Sequence, residues 1–363
     1  MSLPCAQSSL LRRANPVFKR NTLRLLLITD AWFPQVNGVV RTLSTTTERL
    51  RALGHEVEVL APERFRNLPC PTYPEIRLAL CTPGRVGRII RDVAPDAIHI
   101  ATEGPLGLCA RWWLSRRGID FTTSFHTLFP QYLNVRFRIP ERWTFKAVRR
   151  FHNAATATMY STPTLRAMLE AEDFRNLVRW VRGVDTELFC PGDAVNLELP
   201  RPIQLYVGRI AVEKTLGDFL SLDTPGSKVL IGDGPQRSEL ARRFPQAHFL
   251  GTKFGEELVA HYRAADVFVF PSRTDTLGLV MLEAMACGIP VAGFPVHGPL
   301  DVVGDSAAGI LHDDLAVAIE QAIGIDPEIC RQRALEHSWD QSVQEFYNNL
   351  VPINLHEVQG ETA

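Results

Sequence analysis

The sequence predicts an α/β protein of two doubly wound, Rossmann-like domains facing one another across a cleft. Three observations carry this. At 363 residues the chain has room for two domains of about 150 residues each. Short apolar runs alternate with amphipathic stretches along its length, the pattern of parallel strands joined by crossover helices. The alternation breaks once, near residues 189–202, at the Pro-, Asp- and Asn-rich segment CPGDAVNLELPRP, which reads as an interdomain linker.

The elements follow in order. A basic tail, residues 1–22, carries Arg12, Arg13, Lys19 and Arg20 without an acid, and lacks the long apolar stretch of a secretory signal. Leu23–Asp30 is a nearly continuous apolar run ending in a polar residue, as in a buried parallel strand. A loop leads to Val39, Leu43, Leu50 and Leu53 at helical spacing, with Gly54 as C-cap and His55–Leu60 as the next strand. Further strands are expected at 76–80, 97–103, 120–126 and 155–161, and helices at 84–93, 107–117, 141–153 and 163–170. After the 191–202 linker a second series gives strands at 204–207, 228–231, 248–250, 267–271 and 291–294. Its helices fall at 236–243, 256–264, 278–287 and 315–323. The expected divisions are therefore 1–22, 23–190, 191–202 and 203–335, with a final helix and tail at 336–363. Ligand is expected at the carboxyl ends of the strands.

Composition narrows the function. Apolar residues make up 45% and charged residues 22%, which excludes a disordered or collagen-like chain. No apolar run approaches the roughly 18–20 residues that span a bilayer. Seven cysteines without a CxxC, and ten histidines without HxH or HExxH, support neither a disulfide framework nor a metal site. The simple reading of the cysteines is reduced thiols in the cytoplasm. The net charge of −1 conceals opposing halves: residues 1–190 carry 27 Lys+Arg against 16 Asp+Glu, and residues 191–363 carry 12 against 24.

Four segments carry chemistry. Asn37-Gly38 ends the first loop, where glycine lets backbone approach a ligand and the following helix offers free amides to a phosphate; an ordinary turn is the plainer alternative. Arg209 and Lys214 follow a strand and can clamp a diphosphate, one as a planar fork and the other as a point charge, unless both are simply solvated. Ile231–Pro235 (IGDGP) is a strand-end glycine turn without the GxGxxG spacing of a dinucleotide site, so a nicotinamide or flavin enzyme is set aside. The most specific is Pro271–Val291, PSRTDTLGLVMLEAMACGIPV, where Asp275 precedes a helix and Glu283 sits within it. Carboxylates accept hydrogen bonds from vicinal sugar hydroxyls, and the amides around 276–280 can donate to sugar or phosphate oxygens.

Together these segments resemble the retaining GT-B glycosyltransferases of glycosyltransferase family 4. The stretches ITDAWFPQVNGVVRTL and SFHTLFPQY resemble its bacterial GDP-mannose-dependent α-mannosyltransferases, and diacylglycerol glycosyltransferases are similar. The resemblance spans about residues 23–350. It implies that Arg209 and Lys214 hold the donor diphosphate, that Glu283 binds the ribose, and that Asp275 touches the transferred sugar beside the amides of Thr276, Leu277 and Gly278. Gly38 would approach the phosphate from the opposite domain, and His126 would lie near the reacting centre. Many members have Glu where this chain has Asp275, which bears on sugar identity. The resemblance further implies a UDP- or GDP-sugar donor, retention of configuration, and no metal or other cofactor, with the leaving phosphate taking the acceptor proton.

The first domain would receive the acceptor, and its cations cluster with aromatics: Trp112, Trp113, Arg116 and Arg117 in one helix, and Arg142, Trp143, Lys146, Arg149 and Arg150 in another. Such segments suit an anionic membrane surface. The alternative is that the aromatics are core and the arginines a solvated face. The expected activity is hexosyl or hexuronosyl transfer to a lipid such as diacylglycerol, by an enzyme held peripherally at the inner face of the cell membrane. Mannosyl transfer to a soluble or polyprenyl-linked glycan, a nucleotide-sugar epimerase and a non-catalytic nucleotide-sugar binder are the alternatives. Neither nucleic acid nor a required protein partner is expected.

Overall fold

The computed structural model describes residues 22–353, apart from 36, 71–72, 132–133, 135–137, 276 and the side chains of 73–75. Two six-stranded parallel sheets organise it. The first contains β1 (Arg24–Ile28), β2 (Glu56–Leu60), β5 (Ala97–Ile100), β6 (Thr122–Ser124), β7 (Ala157–Tyr160) and β8 (Leu177–Arg179), in the order β2-β1-β5-β6-β7-β8. The second contains β9 (Ile203–Val207), β10 (Ser227–Ile231), β11 (His248–Phe249), β12 (Val267–Phe270), β13 (Val291–Gly293) and β14 (Gly309–Leu311), in the order β11-β10-β9-β12-β13-β14. Central strands such as β9 and β12 are buried along their whole length, as a sheet covered by helices on both faces requires.

Each strand order reverses once, between β1 and β5 and between β9 and β12. At such a reversal the crossover helices leave to opposite faces and a crevice opens beyond the strands' carboxyl ends. Gly38 follows β1, Arg209 follows β9 and Asp275 follows β12, so the fold brings these residues to the two crevices.

Three features differ from the sequence expectation. The strand expected at 76–80 does not join the parallel sheet. It is part of β4 (Tyr73–Ala79), antiparallel to β3 (Asn67–Cys70) in a separate ribbon. Only residues 71 and 72 separate these strands, far short of the dozen that a parallel crossover needs. The strands Leu177–Arg179 and Gly309–Leu311 and the helices Leu216–Leu220, Pro299–Val302 and Pro327–Leu335 lack a readable period because they are short or mixed in polarity. The last helix, Trp339–Asn349, follows the second core in sequence but packs on the first. Its Val343, Phe346 and Tyr347 join Leu23, Leu25, Leu27 and Leu43 in one cluster.

The chain crosses between the domains at two adjacent places. Val184 N–H donates to His337 O at 3.0 Å, and a Cβ on Gly183 would lie 2.6 Å from Trp339 N, so only glycine lets the two crossings touch. Beyond the first crossing, Phe189 enters the second core, with Leu188, Leu197 and Leu199 packed against it.

Candidate active site

The second domain gathers its charged groups at the reversal between β9 and β12. Lys214 ends a short 3-10 turn and donates from Nζ to both carboxylate oxygens of Asp275, at 2.5 and 2.7 Å. Two contacts hold the loops that carry them. The Thr215 hydroxyl donates to Pro271 O at 2.6 Å, and the Ser272 hydroxyl to Glu213 O at 3.4 Å. Arg209 is half-buried beside them, its carbonyl accepting from Tyr206 O–H at 2.8 Å. Burial, reinforced by the Asp275 and Glu213 charges, pushes the Tyr206 phenol well above its ordinary range, which keeps it a neutral donor.

Glu283 lies in the apolar helix Leu279–Ala286, with a side chain only 4% exposed. Tyr262 O–H donates to its Oε2 at 2.9 Å, and the Arg41 guanidinium, from the opposite domain, donates to its Oε1. The helix begins at Gly278, whose φ of +84° and close neighbours Phe270 and Met281 suit glycine alone. Leu277 turns its side chain into the second core. Thr276 lies outside the described residues. Gly38 opens the helix Gly38–Ala52, capped by Asn37 Oδ1 at 3.0 Å from the amides of Val39 and Val40. A Cβ on Gly38 would lie 3.8 Å from Leu279 Cδ1, so the starts of two helices, one per domain, meet across the cleft.

His126 follows β6 at the end of a buried relay. Arg182 donates to His126 Nδ1 at 3.3 Å, His126 Nε2 lies 2.8 Å from Ser124 Oγ, His99 Nε2 lies 3.0 Å from the same oxygen, and His99 Nδ1 lies 2.8 Å from Thr122 Oγ1. The Thr122 hydroxyl donates to Ile98 O at 3.4 Å. A guanidinium can only donate and a carbonyl can only accept. The ends orient the chain between them: His126 carries its proton on Nε2, and His99 carries one on Nδ1. Burial, then the Arg182 charge, holds both histidines below their usual range, His99 at about 3. Arg182, lying 3.9 Å over the Trp180 ring, is pulled down to about 9 by burial. Both ring nitrogens of His126 are therefore engaged within the protein.

Among the described residues no group of three or more His, Cys, Asp and Glu could hold a metal, and no helix is long and apolar enough to cross a membrane. The residues read as facing a membrane divide. Trp143 is 63% exposed among the exposed Arg142, Lys146 and Arg150 on helix Glu141–His152, and Trp112 and Arg116 are exposed on helix Pro105–Ser115. Trp113 corrects the expectation. It is 2% exposed and belongs to the first core, because it points back toward the helix Pro83–Val93, against Gly87. Arg117 stacks over it at 4.4 Å. Arg149 is half-buried and spent on Glu172 O and Asp173. Arg41, Tyr262 and Arg182 were not singled out from the sequence. Only Arg41 carries a local signal, one helical turn after Gly38 and so on the same face.

Residues 36–188 match the Glycosyltransferase Family 4 domain, and residues 201–324 match the Glycosyl transferases group 1 domain. A GDP-mannose-dependent alpha-mannosyltransferase of Mycobacterium tuberculosis is 31% identical over 318 residues, 80% of this chain and 83% of that protein. The chain belongs to the GT-B glycosyltransferases of family 4. A sulfoquinovosyl transferase of Arabidopsis thaliana is 31% identical over 78% of this chain and 62% of its own length. An alpha-monoglucosyldiacylglycerol synthase of Acholeplasma laidlawii is 25% identical over 74% of this chain and 79% of its own length. In three dimensions the enzyme is similar to sucrose-phosphate synthase of Thermosynechococcus elongatus, with a TM-score of 0.74 and 21% identity over 89% of this chain and 97% of that one. This likeness shows the GT-B fold.

Proposed function

We propose that this glycosyltransferase moves a hexose or hexuronic acid from a UDP- or GDP-sugar to a lipid acceptor such as diacylglycerol, with retention and without a metal. The observation that carries the donor half is the convergence of Arg209, Lys214, Asp275 and Glu283 at the strand reversal of the second sheet. Lys214 and Arg209 supply the positive charge that a departing diphosphate needs. Asp275, now held by Lys214, is placed to accept from sugar hydroxyls once the diphosphate claims the lysine. Glu283 takes the ribose. His126, neutral and fixed by Arg182, is a positioning group for the sugar rather than a base.

For the acceptor, the exposed Trp112, Trp143, Arg116, Arg142, Lys146 and Arg150 favour a lipid surface, as does the similarity to a monoglucosyldiacylglycerol synthase. These features support a reading in which the enzyme works peripherally at the inner face of the membrane. A second reading, mannosyl transfer from GDP-mannose to a soluble or polyprenyl-linked glycan, is favoured by the 31% identity to the mycobacterial mannosyltransferase. A panel of UDP- and GDP-sugars with diacylglycerol vesicles and with mannosyl glycans, in the presence of EDTA, separates the two. A diacylglycerol product of retained anomeric configuration is the expected result. Transfer to the glycan alone would establish the second reading, and dependence on added metal would overturn the metal-free one.

A further inference from the structure

Glu283 has a partner on each carboxylate oxygen. Tyr262 holds Oε2, and Arg41 reaches across from the first domain to hold Oε1. A carboxylate this buried needs a compensating charge, and Arg41 supplies it. The arginine is 38% exposed, stacks over Phe189 at 5.1 Å from the ring centroid, and stands one turn after Gly38 on the same helix face. A ribose hydroxyl arriving at Oε1 competes with the guanidinium for that oxygen. That hydroxyl is a neutral donor, so the exchange trades an ion pair for a hydrogen bond and leaves the buried carboxylate without its counter-charge. Binding of the sugar ring alone is therefore opposed. It becomes favourable when the displaced guanidinium finds another anion within reach of its long side chain.

We infer that Arg41 is a specificity residue of the donor site. It leaves Glu283 when the ribose binds and pairs with the donor diphosphate beside Gly38, so that ribose recognition and diphosphate recognition are coupled. This rests on the assignment of Glu283 to the ribose. A nucleoside lacks the anion that Arg41 would move to, and the exchange then leaves the guanidinium with water alone. A nucleoside diphosphate satisfies both partners. The two domains are joined in either state, first through Glu283 and then through the nucleotide.

Calorimetric titration with uridine and UDP, and with guanosine and GDP, tests this on the full chain. The wild type is expected to prefer the diphosphate of its base steeply. Arg41→Met should shrink the ratio of diphosphate to nucleoside affinity by about tenfold or more, the equivalent of one charge-assisted hydrogen bond. Nucleoside affinity should stay level or rise as diphosphate affinity falls, and Arg41→Lys should restore part of the ratio. An unchanged ratio in a folded Arg41→Met protein, or an equal loss for nucleoside and diphosphate, would overturn the inference. Glu283→Gln, titrated with ribo- and 2′,3′-dideoxynucleotides, separates the two layers. If it leaves the discrimination between those sugars intact, the ribose assignment fails and the inference with it. If it removes that discrimination while the Arg41 ratio is unchanged, only the inference fails.

Discussion

Acid should weaken this fold through the relay beneath His126, and His99→Gln should isolate the effect. His99 is wholly buried, and burial, followed by the Arg182 and His152 charges, lowers it from 6.5 to about 3. The unfolded chain takes up a proton near 6.5 that the native state refuses, so this stability is complete above that pH and is lost as pH falls toward 3. At about 1.4 kcal/mol per pH unit, lowering the pH from about 6.5 to about 4.5 removes on the order of 2 kcal/mol through His99 alone. His126, also lowered, adds to the loss with the same sign. Asp30 opposes it. Burial outweighs its hydrogen bonds from Leu106, Gly107 and Thr102 and raises it to about 6, so its contribution is present below the unfolded value near 3.8 and disappears as pH rises through 6. Over the same interval Asp30 returns about 2 kcal/mol. Urea unfolding of wild type and His99→Gln at the two pH values gives the difference directly. Glutamine can still bond Thr122 and Ser124 but does not titrate. The acid loss in the wild type should exceed that in the variant by about 2–3 kcal/mol, whatever the variant costs at neutral pH. Parallel losses would refute the assignment of a neutral, buried His99.

Two further outcomes follow from the site and its surroundings. Lys214→Met should leave the fold intact, remove the ammonium partner of Asp275, and lower the transfer rate by about 10²–10³-fold. Adding Asp275→Asn should recover part of the lost melting temperature without recovering activity, with a coupling of about 0.5–3 kcal/mol in the double-mutant cycle. On anionic vesicles at low salt, Lys146→Gln with Arg150→Gln should weaken flotation by about thirtyfold, since each cation contributes roughly 1 kcal/mol. A wild type that stays off such vesicles would remove the membrane role from the proposal.

Much of the fold was readable because parallel strands buried on both faces write themselves as apolar runs. LLLI in β1, IQLYV in β9 and VFVF in β12 are followed by Thr29, Gly208 and Pro271, where the chain leaves the sheet. The same boundaries marked Gly38, Arg209 and Asp275. Short elements such as Leu177–Arg179 complete no period and gain their order from neighbours. Trp113 shows the limit of composition: Trp112 and Trp113 are adjacent and identical in type, but a rotation of about 100° per residue puts one in water and the other in the core.

The domain interface was hidden for a different reason. Arg41 and Glu283 are 242 positions apart, and the Thr164–Asp301 contact spans 137, so no local pattern connects either pair. Arg41 reads alone as a surface charge and Thr164 as a helix-start polar group, and the reading of Glu283 as a ribose ligand does not point to Arg41. Their meeting depends on the hinge at Gly183–Val184 and His337–Trp339, and on the last helix returning to the first core. The closed cleft is therefore held by side chains reaching from opposite domains, and the covalent crossings lie together at one place. Arg182 sits one residue before that hinge while it fixes the proton on His126. The residue that orients His126 and the first crossing between the domains are thus adjacent in the chain, so a substitution at Gly183 bears on both.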